Sequence, residues 1–254
     1  MSKTPRPKGV DLPPIGLIQW VRSAIFLINI YVMMAVLGLI FLPYAVVSIH
    51  GARTACKTYS RYVFWCAKWM VGIKTEVRGP VPEGEILVAA KHQSFLDIMM
   101  IFEAAPSARF IMKREILWTP VIGAYAKRIR SVPVERGRGA VAMAKMISDV
   151  AAQSDEPGQL IIYPQGTRVA PGAEAPYKAG VGALYQETGQ EVVPVATNVG
   201  AFWPRTGIGR RPGTAIVEFL PTIPQGLERQ DFMDTLEATV ETASDRLLQE
   251  TGLV

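Results

Sequence analysis

The chain has 254 residues, carries a net charge of +5, and is 49% hydrophobic. That length suits one sizeable core, or one catalytic domain with an appendage, and is short for two full domains. The composition argues against a disordered chain, and the mean hydropathy of +0.20 is high for a soluble enzyme. The pI near 9.2 favours anionic partners such as phosphate groups, acidic membrane surfaces or acidic carrier proteins.

The first strongly apolar stretch covers residues 23–49 and contains no charged side chain. A helix over its first 19 residues or so would be about 28 Å long, close to the thickness of the bilayer's hydrocarbon core. We expect Pro43 to kink or end that helix near Leu42, and Asn29 places a polar group inside the stretch. Basic residues flank both sides, so spanning the membrane and lying in one leaflet both stay open. We predict an N-terminal membrane-associated helical segment over residues 1–72.

The next segment, TYSRYVFWCAKWMVGI at 58–73, mixes aromatic and basic side chains. This mixture is typical of the headgroup depth of a bilayer. The alternative is a helix packed on the globular part of the chain. The two cysteines, Cys56 and Cys66, have no second pair and no histidine cluster near them, which favours neither a disulfide framework nor a zinc site.

From Lys74 onward, short strand-like runs alternate with longer amphipathic runs, which indicates an α/β domain over residues 73–254. We predict a mixed sheet with helices packed on it. The predicted strands are 75–79, 86–90, 109–112, 131–134, 160–164, 192–197 and 215–220. The predicted helices are 95–103, 119–127, 140–152, 180–188 and 231–250.

The stretch KHQSFLD at 91–97 follows a buried-looking strand. Ser94 is a plausible N-cap for a helix from Phe95, with Asp97 in its first turn. Positions five apart do not share a helix face, so His92 can meet Asp97 only from the loop, folded back over the helix start. An imidazole held that way is a general base for a hydroxyl that attacks a carbonyl. The alternative is that both residues only shape the helix boundary.

Two further features of the sequence favour an anion-binding site. The stretch YPQGTR at 163–168 ends a predicted strand in a glycine turn followed by Arg168, where amides and a guanidinium can converge on a negative group. Lys178 follows the next loop. Basic residues also bracket the predicted strand at 131–134; they are Lys127, Arg128, Arg130, Arg136 and Arg138. The alternative is a plain glycine turn and a set of solvated cations.

The order HQSFLD at 92–97, VPVERGRG at 132–139, YPQGTR at 163–168 and VVPVA at 192–196 resembles the lysophosphatidic acid acyltransferase family of glycerolipid acyltransferases. The resemblance implies that His92 is the general base and that Asp97 orients it. It implies that Arg136 and Arg168 bind the acceptor's phosphate with help from Lys178, and that Gln165, Gly166 and Thr167 belong to the same substrate site. The VVPVA block is associated with the acyl donor.

The resemblance has one clear departure, since the family's third block usually reads FPEGTR. Tyr163 stands for the phenylalanine and Gln165 for the glutamate. The second change removes a negative charge beside the proposed anion site, although an amide still donates and accepts hydrogen bonds. Because of this change, two alternatives stay open: acylation of another lysolipid, such as a lyso-ornithine lipid, and lipid binding without turnover.

The expected reaction moves an acyl group from acyl-CoA or acyl carrier protein to the free sn-2 hydroxyl of 1-acylglycerol-3-phosphate, giving phosphatidic acid. We expect neither a metal nor a cofactor. We also expect no nucleic-acid partner, because no nucleic-acid module is recognisable. No serine lies in a G-x-S-x-G elbow, which argues against a lipase-type acyl-enzyme. We expect the protein at the membrane, with the catalytic domain on the cytoplasmic face.

Overall fold

The computed structural model describes residues 9–135, 139–152 and 158–253. The N-terminal part is helical: α1 (Leu17–Ile40), α2 (Leu42–Val47) and α3 (Ile49–Cys66), which runs on into a π-helical turn at Ala67–Val71. Pro43 lies in the first turn of α2. Helix α1 therefore ends just before it, as the sequence predicts, because proline cannot donate the hydrogen bond that would continue the helix.

Helix α1 packs on the rest of the protein through a narrow stripe. Ser23, Phe26 and Ile30 are buried, and Phe26 meets Trp203 edge to face with ring centroids 5.2 Å apart. The remainder of α1 is open to the surroundings, and its exposed large apolar side chains include Leu17, Ile18, Ile25, Ile28, Leu39 and Ile40. In the described part of the chain, α1 is the one helix long and apolar enough to cross a membrane.

The polar group that the sequence places inside the apolar stretch has partners on α3. Asn29 Oδ1 accepts hydrogen bonds from the Tyr62 hydroxyl at 2.8 Å and from the Cys66 thiol at 3.4 Å. Asn29 therefore joins α1 to α3. The segment at 58–73 does pack on the globular part, because Val63 and Cys66 are buried. It also exposes Trp65 and Trp69, with relative accessibilities of 61% and 64%.

The globular part is built on a seven-stranded mixed sheet with the order β1-β7-β6-β2-β5-β3-β4. The strands are β1 (Ile73–Arg78), β2 (Ile86–Ala90), β3 (Arg109–Lys113), β4 (Val132–Val134), β5 (Gln159–Ile162), β6 (Val192–Thr197) and β7 (Gly213–Phe219). β6 and β7 pair antiparallel, and the other neighbouring strands pair parallel. The central β2 sits between β5 and β6, so its carboxyl end meets theirs at one edge, where parallel sheets place ligands.

Five longer helices accompany these strands: α4 (Leu96–Ala104), α5 (Ile122–Arg128), α6 (Gly139–Ala151), α7 (Ala179–Thr188) and α8 (Arg229–Gln249). Each corresponds to a predicted helix within a few residues. The largest shift is in α5, which begins three residues late. Pro120 disfavours helical geometry in Thr119, and Val121 has a φ of 61°, outside the helical region. The predicted α/β fold with a mixed sheet is confirmed. The division at residues 72 and 73 stays a prediction.

Candidate active site

His92 and Asp97 meet in the way that their spacing predicts. His92 lies in the loop after β2, and its Nδ1 is 2.8 Å from Asp97 Oδ1 in the first turn of α4. The other carboxylate oxygen of Asp97 accepts the backbone N–H groups of Gln93 and Ser94, each at 2.7 Å. Asp97 is fully buried. Its carboxylate thus closes the loop and fixes the imidazole, leaving Nε2 as the ring nitrogen for a substrate proton.

The helix boundary differs slightly from the prediction. Helix α4 begins at Leu96, one residue later than expected, and Phe95 occupies the N-cap position. The Ser94 hydroxyl still accepts the N–H of Leu96 at 3.2 Å. Ser94 therefore satisfies one of the free amides at the start of α4, whereas Asp97 shares its carboxylate between the loop amides and the imidazole.

Tyr163 covers one face of the imidazole. The two rings stack with centroids 4.1 Å apart and planes inclined by 22°. Phe110 on β3 lies behind Tyr163, with ring centroids 6.2 Å apart. Burial, and then the negative charge of Asp97, raise the pKa of the Tyr163 hydroxyl well above its usual value. The phenol therefore stays protonated beside the His92–Asp97 pair.

The turn at 163–168 comes against the same loop. The Gly166 N–H donates to Tyr163 O at 2.8 Å, and Gly166 has a φ of 66°, which glycine adopts without strain. The Val169 N–H donates to His92 O at 2.8 Å, so the residue after Arg168 is tied to the residue proposed as base. The Lys178 N–H donates to Pro164 O at 2.8 Å, which brings Lys178 to the turn as well.

Arg168 has a neighbour that the sequence did not point to. Arg168 Nη1 donates to the carbonyl of Arg205 at 3.3 Å, and Arg205 Nη1 donates to the carbonyl of Arg168 at 3.0 Å. The reciprocal bonds hold the turn to the loop after β6. Thr167 is half-buried in this turn. Arg136, expected to bind the same anion, lies outside the described residues.

A cavity of about 790 Å³ opens beside His92. Its lining is largely apolar and comes from α1, α3, α4, α5, α6 and β3, with His92, Tyr163, Gly166 and Lys178 at one part of the wall. The α1 contribution is Met34, Leu37 and Gly38. A pocket of this size, apolar with a few polar groups, suits a small molecule or a chain of methylene groups.

Cys56 also lines this cavity. Burial raises the pKa of its thiol from 9.0 to about 12. The thiolate, which is the nucleophilic form, is therefore scarce at neutral pH. Cys56 is consequently part of the apolar wall and a poor acceptor for an acyl group.

Behind the site, Lys91 and Gln165 are almost fully buried, with relative accessibilities of 2% and 3%. Lys91 forms an ion pair with Glu241 on α8. Gln165 Nε2 donates to the same carboxylate at 3.3 Å. Sequence reasoning did not identify Glu241, because 150 residues separate it from Lys91 and an exposed-looking acid on an amphipathic helix carries no distinguishing signal.

Known proteins resemble this chain in sequence and in fold. Residues 73–198 match the sequence profile of the acyltransferase family. The 1-acyl-sn-glycerol-3-phosphate acyltransferase of Pseudomonas aeruginosa is 28% identical over 177 residues, 67% of each chain. The 1-acyl-sn-glycerol-3-phosphate acyltransferase of Limnanthes alba is 26% identical over 158 residues, 61% of this chain and 56% of its own. The 1-acyl-sn-glycerol-3-phosphate acyltransferase alpha of Bos taurus is 26% identical over 202 residues, 77% of this chain and 70% of its own.

A solved structure shares the fold. The crystal structure of the 1-acyl-sn-glycerophosphate (LPA) acyltransferase PlsC from Thermotoga maritima superposes with a TM-score of 0.76. The match covers 90% of this chain and 97% of that chain at 19% sequence identity. Because it covers 90% of the chain, the likeness in fold extends well beyond residues 73–198.

Proposed function

Residues 73–198 place this chain in the acyltransferase family, and we propose that it is an O-acyltransferase that acylates 1-acylglycerol-3-phosphate to phosphatidic acid. The relatives that carry this name support the acceptor. The observation that carries the chemistry is the 2.8 Å contact between His92 Nδ1 and Asp97 Oδ1 beside an apolar cavity. A base next to an apolar pocket suits the transfer of a fatty acyl group.

In this proposal His92 Nε2 takes the proton of the sn-2 hydroxyl as its oxygen attacks the carbonyl carbon of an acyl thioester. The C–S bond then breaks, and the leaving thiolate receives the same proton from His92. Asp97 holds the imidazole in one tautomer and stabilises its charged form between these two steps. The high pKa of Cys56 supports direct transfer rather than an acyl-cysteine intermediate.

The apolar cavity and the basic side chains suit different parts of the two substrates. We assign the acyl chain to the cavity, because its wall is apolar from α1 to β3. We assign the acceptor's phosphate to Arg168 and Lys178, with Gln165, Gly166 and Thr167 forming the turn that leads to Arg168, and Arg136 as a further ligand. Arginine suits this role because its planar fork matches phosphate oxygens. The donor is acyl-CoA or acyl carrier protein, and neither a metal nor a cofactor enters the mechanism.

The protein works at a bilayer in this account. Apart from its buried stripe, α1 presents large apolar side chains outward, and α2 adds the exposed pair Val46 and Val47. Such a surface suits lipid better than water. Trp65 and Trp69, beside basic residues of α3, suit the headgroup layer. We propose that residues 1–72 anchor the chain and that residues 73–254 form the catalytic domain on the cytoplasmic face.

One observation favours a second acceptor. Gln165 replaces a carboxylate next to the proposed phosphate site, and its Oε1 is buried without a hydrogen-bond partner among the described residues. A different headgroup, such as that of a lyso-ornithine lipid, would make other hydrogen bonds with this amide than a phosphate does. The test is transfer of labelled acyl groups from acyl-CoA and acyl carrier protein to a panel of lysolipids. Phosphatidic acid as the main product supports the proposal. Another acylated lipid as the main product identifies a different acceptor. If no lysolipid is acylated, the protein is a lipid-binding protein without turnover.

A further inference from the structure

One carboxylate from α8 contacts three residues on two loops of the site, the loop from β2 to α4 and the connection from β5 to α7. Glu241 Oε2 pairs with Lys91, and Glu241 Oε1 accepts the Tyr177 hydroxyl at 2.9 Å and Gln165 Nε2 at 3.3 Å. Lys91 precedes His92, Gln165 precedes Gly166, and Tyr177 precedes Lys178. Each partner of Glu241 is thus the direct chain neighbour of a residue assigned to the site.

The burial of these groups makes the carboxylate hard to replace. The Lys91 side chain is 1% exposed and that of Glu241 is 29% exposed. A buried ammonium without its counter-charge is strongly unfavourable, so removal of the Glu241 carboxylate would leave Lys91 without the partner of its ion pair. Burial, and then the charge of Glu241, raise the pKa of the Tyr177 hydroxyl, which keeps that group a hydrogen-bond donor.

Glu241 also sets the direction of the Gln165 amide. Because Nε2 donates to Glu241, Oε1 is the end that points away from the ion pair, and it has no partner in the described part of the chain. The amide is therefore held with a free acceptor atom at the start of the turn that leads to Arg168. A carboxylate at position 165 would instead lie next to the Glu241 carboxylate and repel it.

We propose that Glu241 is a positioning residue of the acyltransferase site: it holds the His92 loop and both ends of the connection from β5 to α7 in register, and it stands in for the carboxylate that Gln165 lacks. This inference rests on the proposed function. Glu241 lies outside the matched segment 73–198, so α8 becomes part of the site's machinery.

The test compares Glu241→Gln with wild type in acyl transfer to lysophosphatidic acid, with thermal unfolding and hydrogen–deuterium exchange measured on the same samples. We expect kcat/KM to fall roughly 10- to 100-fold, because small displacements of site groups are costly. The KM for the acceptor should rise, and exchange should speed up in peptides covering 163–168. A simple loss of folded enzyme would lower kcat and leave KM unchanged.

Two further variants sharpen the result. Glu237→Gln is the matched control, since it removes a neighbouring acid one turn earlier on α8, and it should leave kcat/KM near the wild-type value. In the double variant Glu241→Gln with Gln165→Glu, the amide and the carboxylate change places, so the net charge of the cluster is restored. We expect it to recover activity, whereas Gln165→Glu alone should be impaired by two adjacent carboxylates.

The outcomes separate the two claims. If wild type transfers acyl groups and Glu241→Gln keeps its kcat/KM, acceptor KM and exchange rates, the inference is wrong while the proposed function stands. A lowered kcat with unchanged KM and unchanged exchange at 163–168 also contradicts it. If wild type transfers no acyl groups, the proposed function fails. The rate of hydrogen–deuterium exchange at 163–168 in Glu241→Gln, compared with wild type, still decides whether Glu241 holds that turn.

Discussion

The ring of Tyr163 lies against the ring of His92, with centroids 4.1 Å apart and planes inclined by 22°. The stack places an aromatic wall on one face of the proposed base, which restricts movement of the imidazole toward that side. Because the Tyr163 hydroxyl stays protonated, we expect the ring, and not the acidity of the phenol, to matter for the proposed base.

We therefore expect Tyr163→Phe to keep kcat/KM within about threefold of wild type, and Tyr163→Leu to lower kcat roughly 2- to 10-fold, since a stacked aromatic pair contributes ~0.5–1.5 kcal/mol. Steady-state kinetics of the two variants measure this difference. A Tyr163→Phe variant as impaired as Tyr163→Leu would show that the hydroxyl takes part directly.

Arg168→Ala should raise the KM for the lysolipid acceptor with a smaller effect on kcat, because a guanidinium contact with phosphate acts in ground and transition state alike. Losing a hydrogen bond to a charged group costs ~1.5–3 kcal/mol, which corresponds to a rise of about 10- to 150-fold. Arg61→Ala is the control, since Arg61 is 68% exposed and pairs with Glu103. An acceptor KM equal to that of the control would remove Arg168 from the phosphate site.

Met34→Trp should change which acyl donors are used. Met34 lines the cavity from α1, and a larger side chain there leaves less room for the chain of the donor. Each methylene group that is no longer buried costs ~0.8 kcal/mol, about fourfold in kcat/KM. Competition assays with donors of graded length should show a shift toward shorter chains. An unchanged length profile would place the acyl chain elsewhere.

Cys56 gives the protein a pH-dependent stability. Its pKa is raised from 9.0 to about 12 in the folded state by burial. Below pH 9 both states keep the proton; above it the unfolded state releases the proton first, so the free energy of unfolding falls as the pH rises toward 12. The slope from this group is about 1.4 kcal/mol per pH unit.

The Cys56→Ala variant lacks this group, so its stability should decline less steeply between about pH 9 and 11. Denaturant unfolding in detergent micelles at several pH values measures both slopes, and the difference between them cancels the contribution of the other alkaline groups. Parallel slopes for the variant and wild type would mean that the pKa of this thiol is not raised in the folded protein.

Much of the fold could be predicted because it depends on local pattern. Runs such as ILVAA and VVPVAT are β2 and β6 at the predicted bounds, since apolar and β-branched residues suit a buried parallel strand. The His92–Asp97 contact could also be predicted, because both residues lie at one loop and helix start. Their roles in catalysis remain proposals.

Other relationships depend on topology and could not be predicted. The stack of Tyr163 on His92 requires β2 and β5 to be neighbours, and the pair of Lys91 and Glu241 requires α8 to return to the end of β2. No periodicity within either segment carries that information. The reciprocal bonds of Arg168 and Arg205 likewise join loops that follow β5 and β6.

The most direct test of the account is the turnover of His92→Ala beside wild type, with lysophosphatidic acid as acceptor and acyl-CoA and acyl carrier protein as donors. The account predicts phosphatidic acid from wild type and a loss of at least about 100-fold in kcat for the variant, with thermal unfolding unchanged. Turnover near the wild-type rate in purified, folded His92→Ala would contradict the assignment of His92 as the general base.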